Sequence, residues 1–267
     1  MGEIKLFRNI KELLHPSISK KNISNYEIII DEDILPAHIY YPKKISDLNR
    51  VIIYIHGNSE ITGTDYSEVY KFLSKELDSM LIAIEYENIN YKGMYKSVYE
   101  TVKYLYKGLV RNTINPSKII LMGDSTGCNI ITGINYLNKD EFVIEKEVLF
   151  YPVLSMEYEN VKYESMVKNK DFNLGLLTKL RNYYESIEYQ NDKLLRPLEL
   201  KDYSKIPSTL VITGNVDSLK DEAKEYYEKL VNDKDYLELE FSAHGFLTKL
   251  DKDVSKEIIN KMKKFME

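Results

Sequence analysis

A serine set between two glycines, a late histidine, and an acid between them in the chain are the residues whose spacing bears chemistry. Gly123-Asp124-Ser125-Thr126-Gly127 follows the apolar run Lys118–Met122 directly and precedes CNIITGINYL, a stretch patterned as a helix. A chain that turns sharply from strand to helix holds the apex residue in a strained conformation. A glycine two positions away on either side lets the backbone pass closely. The apex hydroxyl then stands above the carboxyl end of a sheet. It also meets a helix N-terminus, whose partial positive charge favours a developing anion. The five-residue pattern alone arises in roughly one chain in ten to thirty of this length, so its specificity comes from the strand before it and the helix after it.

A serine hydroxyl is a poor nucleophile until a base takes its proton, and histidine suits that task near neutral pH. The chain has four histidines. His15 precedes a proline and reads as a surface or lid residue. His38 lies inside a predicted edge strand, and His56 ends the run VIIYI. His244 lies in Ser-Ala-His-Gly-Phe, after LELEF and before the last helical pattern. In strand–helix hydrolases the order is serine, acid, histidine, which makes His244 the candidate base. Asp217, where TLVIT runs through Gly214-Asn215-Val216 toward a helix, is the candidate acid that orients it. Asp221 and Glu222 are its rivals, and a helix N-cap is the alternative use of Asp217. Backbone N–H groups of Gly57, Asn58 and Thr126 are the candidate oxyanion donors. His56 is expected to brace that loop rather than to act as a base, and Asp124 to support the nucleophile.

These residues need a scaffold that brings distant segments to one edge. Val51–Ile55, Met80–Ile84, Lys118–Met122, Val148–Tyr151 and Thr209–Thr213 are short apolar runs with little polar alternation, as expected for strands covered on both faces. Amphipathic stripes lie between or after them: Met94, Val98, Val102, Leu105 and Leu109; Ala223, Tyr226, Tyr227, Leu230 and Val231; Val254, Ile258, Met262 and Phe265. Such alternation predicts a mostly parallel central sheet flanked by helices. Tyr26–Ile30 and Ala37–Tyr41 read as an antiparallel edge pair. Two segments break the pattern: a helix over roughly residues 2–14, and the stretch 155–207, with a helix near Leu174–Glu188. The expectation is one domain over 1–267 with a helical cap built from about 1–25 and 155–207.

Composition narrows the classes. The 267 residues suit one large α/β domain, and the net charge of −5 with interspersed signs offers no basic face for nucleic acid. No run approaches the ~18 apolar residues of a membrane span, and the N-terminus lacks a signal-peptide pattern, so a cytoplasmic location is expected. The oligomeric state is left open. The single cysteine, Cys128, forms no internal disulfide. It reads as a small hydrophobe behind the nucleophile, with a reactive thiol as the alternative. The 23 tyrosines read as compositional bias, with an aromatic-lined pocket as the alternative.

Taken together, the motifs resemble the hormone-sensitive-lipase-like branch of the α/β-hydrolase fold. That family carries H-G-G-G, G-D-S-A-G-G, D-x-L-x-D-E and H-G-F. The counterparts here are His56-Gly57-Asn58-Ser59, Gly123-Asp124-Ser125-Thr126-Gly127-Cys128, Asp217-Ser218-Leu219-Lys220-Asp221-Glu222 and His244-Gly245-Phe246. Tyr151-Pro152-Val153-Leu154 echoes a family strand end. The resemblance implies Ser125 as nucleophile, Asp217 as acid and His244 as base. Acyl transfer to water from a small-molecule carboxylic ester, without metal or organic cofactor, is the expected reaction. The resemblance also implies a cap made from the N-terminus and a later insertion. Two glycines of H-G-G-G are replaced by Asn58 and Ser59. An amidase, peptidase or arylformamidase of the same fold stays open, as does a catalytically weak relative that binds a small ligand.

Overall fold

The computed structural model describes residues 14, 27–28, 34–42, 50–57, 65–86, 91–155, 196–249 and 252–267. Among these described residues, eight strands form one sheet in the order β1-β2-β4-β3-β5-β6-β7-β8. They are β1 (Glu27–Ile28), β2 (Ala37–Tyr40), β3 (Val51–Ile55), β4 (Met80–Ile84), β5 (Ile119–Asp124), β6 (Lys146–Phe150), β7 (Ser208–Gly214) and β8 (Lys234–Leu239). From β4 to β8 every pairing is parallel, while β1 and β2 join at one edge in antiparallel fashion.

Side chains alternate between the two faces along each strand, and each face has its own apolar core. Val51, Ile53 and Ile55 of β3 point to one core with Leu121, Leu149 and Val211. Ile52 and Tyr54 point to the other with Ile120, Met122, Phe150 and Ile212. The first core is covered by α2 (Tyr91–Arg111), α3 (Thr126–Leu137) and α4 (Lys220–Lys229), the second by α1 (Ser67–Glu76) and α5 (Lys252–Met266). This two-sided burial is why the strand sequences lack polar alternation.

The stripe Val98, Val102, Leu105 and Leu109 is buried, as its spacing predicts; the side chain of Met94 lies outside the described residues. Helix α1 has no counterpart among the stripes read from the sequence, although Val69, Tyr70 and Leu73 form its buried face. One assignment is corrected. The spacing puts Val231 on the apolar stripe, but α4 stops at Lys229, Leu230 turns to extended backbone, and Val231 is 67% exposed. The expected helix at 2–14 lies outside the described residues apart from Leu14, which is helical and buried. The expected helix at Leu174–Glu188 and most of the proposed cap also lie outside them. Among the described residues no helix is long and apolar enough to cross a membrane.

Chain direction places the functional edge. From β3 the chain passes to β4 on one side, then returns to β5 on the other. Such a reversal opens a crevice at the carboxyl ends of the strands, where ligands bind in open α/β sheets. His56 leaves the end of β3, and Asp124 and Ser125 leave the end of β5.

A carboxyl sits in the core away from that edge. Glu147 of β6 is fully buried, with Oε2 accepting from Asn135 Nδ2 at 2.7 Å. Its Oε1 is 3.0 Å from Thr209 Oγ1, which in turn is 2.8 Å from the Pro207 carbonyl. The hydroxyl has one proton and the carbonyl can only accept. A protonated Glu147 satisfies both contacts by donating to Thr209. Burial pushes its pKa in the same direction, up to about 8 from 4.5. A folded-state pKa raised in this way supplies stability that is complete below the unfolded value and is lost as pH rises through the folded one. Thermal and urea unfolding between pH 5 and 8 is therefore expected to show falling stability, at up to ~1.4 kcal/mol per pH unit from this group. Glu147→Gln keeps the shape and should flatten that slope.

Candidate active site

Ser125 lies between β5 and α3 with φ 50° and ψ −120°. A non-glycine residue there costs on the order of 1–3 kcal/mol and persists only where its surroundings hold it. Its N–H donates to the Phe150 carbonyl at 3.0 Å, and its own carbonyl accepts from Cys128 N at 3.2 Å and Val153 N at 3.1 Å. The flanking glycines make the turn possible by close approach. A Cβ on Gly123 would lie 2.5 Å from the Ile55 carbonyl oxygen, and one on Gly127 2.0 Å from the same atom.

Ser125 Oγ is 3.0 Å from His244 Nε2. On the far side of the ring, His244 Nδ1 is 3.0 Å from Asp217 Oδ2. A hydroxyl, an imidazole and a carboxylate thus lie in one hydrogen-bonded line, contributed by the ends of β5, β8 and β7. Because Nδ1 faces a carboxylate, it carries the ring proton in the neutral imidazole and leaves Nε2 free to accept from the serine. Burial works against a charged His244, but the charge and hydrogen bond of Asp217, joined by the charges of Asp124 and Glu222, together outweigh it and raise the pKa above 6.5. Asp217 Oδ1 also accepts from Leu219 N at 2.9 Å, a turn that precedes the helix; the N-cap itself is Leu219, so the alternative use of Asp217 as a helix N-cap is corrected. Of its rivals, Glu222 turns to the Leu154 and Ser155 N–H groups, each at 3.1 Å, and Asp221 is exposed. The edge of Tyr151 packs on the His244 ring, with centroids 4.9 Å apart.

Asp124 is buried and faces four donors. Oδ1 accepts from Tyr54 OH at 2.9 Å and Gly57 N at 3.0 Å; Oδ2 accepts from Tyr66 OH at 2.8 Å and Tyr151 OH at 3.3 Å. Burial raises the Asp124 pKa, and the tyrosine and Gly57 donors work the other way. Burial, then the Asp124 charge, push all three tyrosines well above their ordinary range, so they remain donors. Tyr54, Tyr66 and Tyr151 therefore have a structural use beyond composition. No local pattern marks the first two, because they meet Asp124 only after folding.

The same contacts correct one expected oxyanion donor. The N–H of Gly57 is committed to Asp124, so it is not free for a substrate. Asn58 and Ser59 lie outside the described residues. Thr126 opens α3, where first-turn N–H groups lack partners in their own helix. His56 is tied to its neighbours: Nδ1 is 2.5 Å from the Gly57 carbonyl, the Tyr86 hydroxyl donates to the His56 carbonyl, and the two rings stack with centroids 4.6 Å apart. His38 lies on β2, away from Ser125 in the chain order of the sheet, and pairs with Glu85 instead. Cys128 is fully buried with Sγ 3.2 Å from the Gly123 carbonyl, and burial pushes its thiol well up. This fits the small hydrophobe rather than the reactive thiol.

Comparison with known proteins places the fold and the family. An arylesterase of Saccharolobus solfataricus is 23% identical over 237 residues, covering 84% of this chain and 76% of the relative. Arylacetamide deacetylase-like 4 family member 1 of Mus musculus is 26% identical over 183 residues, covering 62% of this chain and 44% of the relative. Among solved structures, EstE1, a thermophilic carboxylesterase cloned from a metagenomic library, superposes with a TM-score of 0.76 at 21% identity, covering 97% of this chain and 94% of that one. A sequence model of the family described as alpha/beta hydrolase fold matches residues 52–248. The chain belongs to that family, in its hormone-sensitive-lipase-like branch.

Proposed function

We propose that this protein is a serine carboxylesterase that hydrolyses short- to medium-chain carboxylic esters through an acyl-enzyme. The carrying observation is the line from Ser125 Oγ to His244 Nε2 and from His244 Nδ1 to Asp217, at 3.0 Å each. Ser125 Oγ attacks the ester carbonyl as its proton passes to His244 Nε2, and Asp217 stabilises the resulting imidazolium. The tetrahedral oxyanion is held by the Thr126 N–H and by N–H groups of the loop after Gly57. Collapse breaks the C–O bond, and the leaving alkoxide takes the proton from His244. A water then gives a proton to Nε2 and attacks the acyl carbon. The acid departs and Ser125 recovers its proton. A cap over the crevice, built from about 1–25 and 155–207, would favour small or medium acyl groups.

A second reading keeps the same machinery and changes the leaving group to an amine, which the name of the mouse relative favours. Turnover of p-nitrophenyl acetate, butyrate and octanoate beside p-nitroacetanilide separates the two. The expected outcome is ester turnover that favours the shorter chains, and a fall on the order of 10⁴-fold or more in Ser125→Ala. A preference for the anilide, or for long emulsified lipids, would contradict the ester reading.

The pH profile is a second test. Only neutral His244 accepts the serine proton, so kcat/KM should rise with pH through a value above the ordinary 6.5. Asp217→Asn should move that limb downward and lower kcat on the order of 10⁴-fold. An unmoved limb would separate Asp217 from the base.

A further inference from the structure

The parallel register of β3 and β4 pairs Ile55 with Ile84. The next residue on each strand is His56 and Glu85, so two titratable groups leave the sheet side by side. His56 is 2% exposed. Its Nδ1 faces the Gly57 carbonyl, which can only accept. Its Nε2 is buried without a hydrogen-bond partner among the described residues, and Glu85 Oε2 is 3.6 Å away. With an acceptor on each side of the ring, both nitrogens are suited to carrying a proton.

The surroundings favour that charge. Asp124, at the end of the neighbouring β5, adds a second carboxylate on the other side. Tyr66 and Tyr86 lie along the ring, with centroids 5.4 Å and 4.6 Å away. His38 of β2 reaches the other oxygen of Glu85, Oε1, at 3.6 Å. Burial alone would lower the His56 pKa; Glu85, then the Gly57 carbonyl and Asp124, outweigh it and raise it. Burial likewise works to raise Glu85, and the two histidines hold it below its usual range.

We infer that Glu85 is a positioning residue for the hydrolysis proposed above: it holds His56 doubly protonated, and the Nδ1–H then clamps the Gly57 carbonyl. Gly57 is fixed at both ends, its N–H on Asp124 and its carbonyl on His56. A planar trans peptide sets the direction of its N–H once its carbonyl is held. The clamp therefore sets the plane in which the chain leaves Gly57 for the oxyanion loop. A fixed cation beside that loop also favours negative charge developing on the substrate. Glu85 touches no substrate; it acts through His56.

The catalytic half of this inference rests on the esterase reading, so the test has a readout that needs no substrate. Histidine-¹⁵N NMR of the wild type, Glu85→Gln and Glu85→Asp reports the protons on each ring, with His56→Gln assigning the signal. Ester kinetics run beside it. The wild type should show two protons on His56 at neutral pH. Glu85→Gln should lose the Nε2 proton, with kcat down about tenfold and KM within about twofold, and Glu85→Asp should restore much of both. A singly protonated His56 in the wild type overturns the inference, and that result stands even if Glu85→Gln fails to fold. So does a fall in kcat with the His56 signal unchanged, which would mean packing alone. A wild type inert toward esters removes the catalytic half, and the His56 signal tells that failure from failure of the pairing.

Discussion

The carbonyl oxygen of Ile55, the last residue of β3, is the contact on which the site depends. Both glycines of the Gly123–Gly127 turn press against it, at distances no side-chain carbon tolerates. Because the turn can pack there, Ser125 is held at positive φ with its hydroxyl toward His244. Parallel pairing of β3 and β5, Ile55 with Gly123, supplies the alignment. The strain at Ser125 is thus sustained by sheet register, by bonds to Phe150 and Val153, and by a helix that begins at the next residue.

Register also organises the electrostatics. The residues that follow paired strand ends become neighbours: His56 beside Glu85, and Ser125 beside Tyr151. Asp124 sits among them as an acceptor for donors from β3, from the loop after it, from the start of α1 and from the end of β6. A buried carboxylate is costly unless its lone pairs are satisfied. Here satisfying them ties four segments together just behind the proposed nucleophile. Tyr151 serves both sides, with its hydroxyl on Asp124 and its ring against His244.

What was legible in the sequence follows from how local each feature is. The turn around Ser125, the apolar strands and the order of Ser125, Asp217 and His244 are features of the chain itself, and the structure brings the three side chains within hydrogen-bond reach. The Asp124 cage has no local signature, because Tyr54 reads as one more apolar strand residue and Tyr66 lies well outside any motif. Glu85 reads as a strand end until β4 is laid beside β3. Gly57 was a reasonable oxyanion donor from its position, but Asp124 claims its N–H first. Val231 fits a helical stripe that the chain leaves two residues earlier, at Lys229. In each case a tertiary contact decided, and local pattern carried no record of it.

The most direct test of the proposed chemistry is covalent. A fluorophosphonate that phosphonylates activated serines, followed by intact-mass and peptide mapping, asks which hydroxyl is nucleophilic and whether His244 makes it so. One adduct on the peptide bearing Ser125, lost in His244→Gln, is the predicted result. Labelling of another residue, or labelling of Ser125 that persists undiminished without the imidazole, would contradict it.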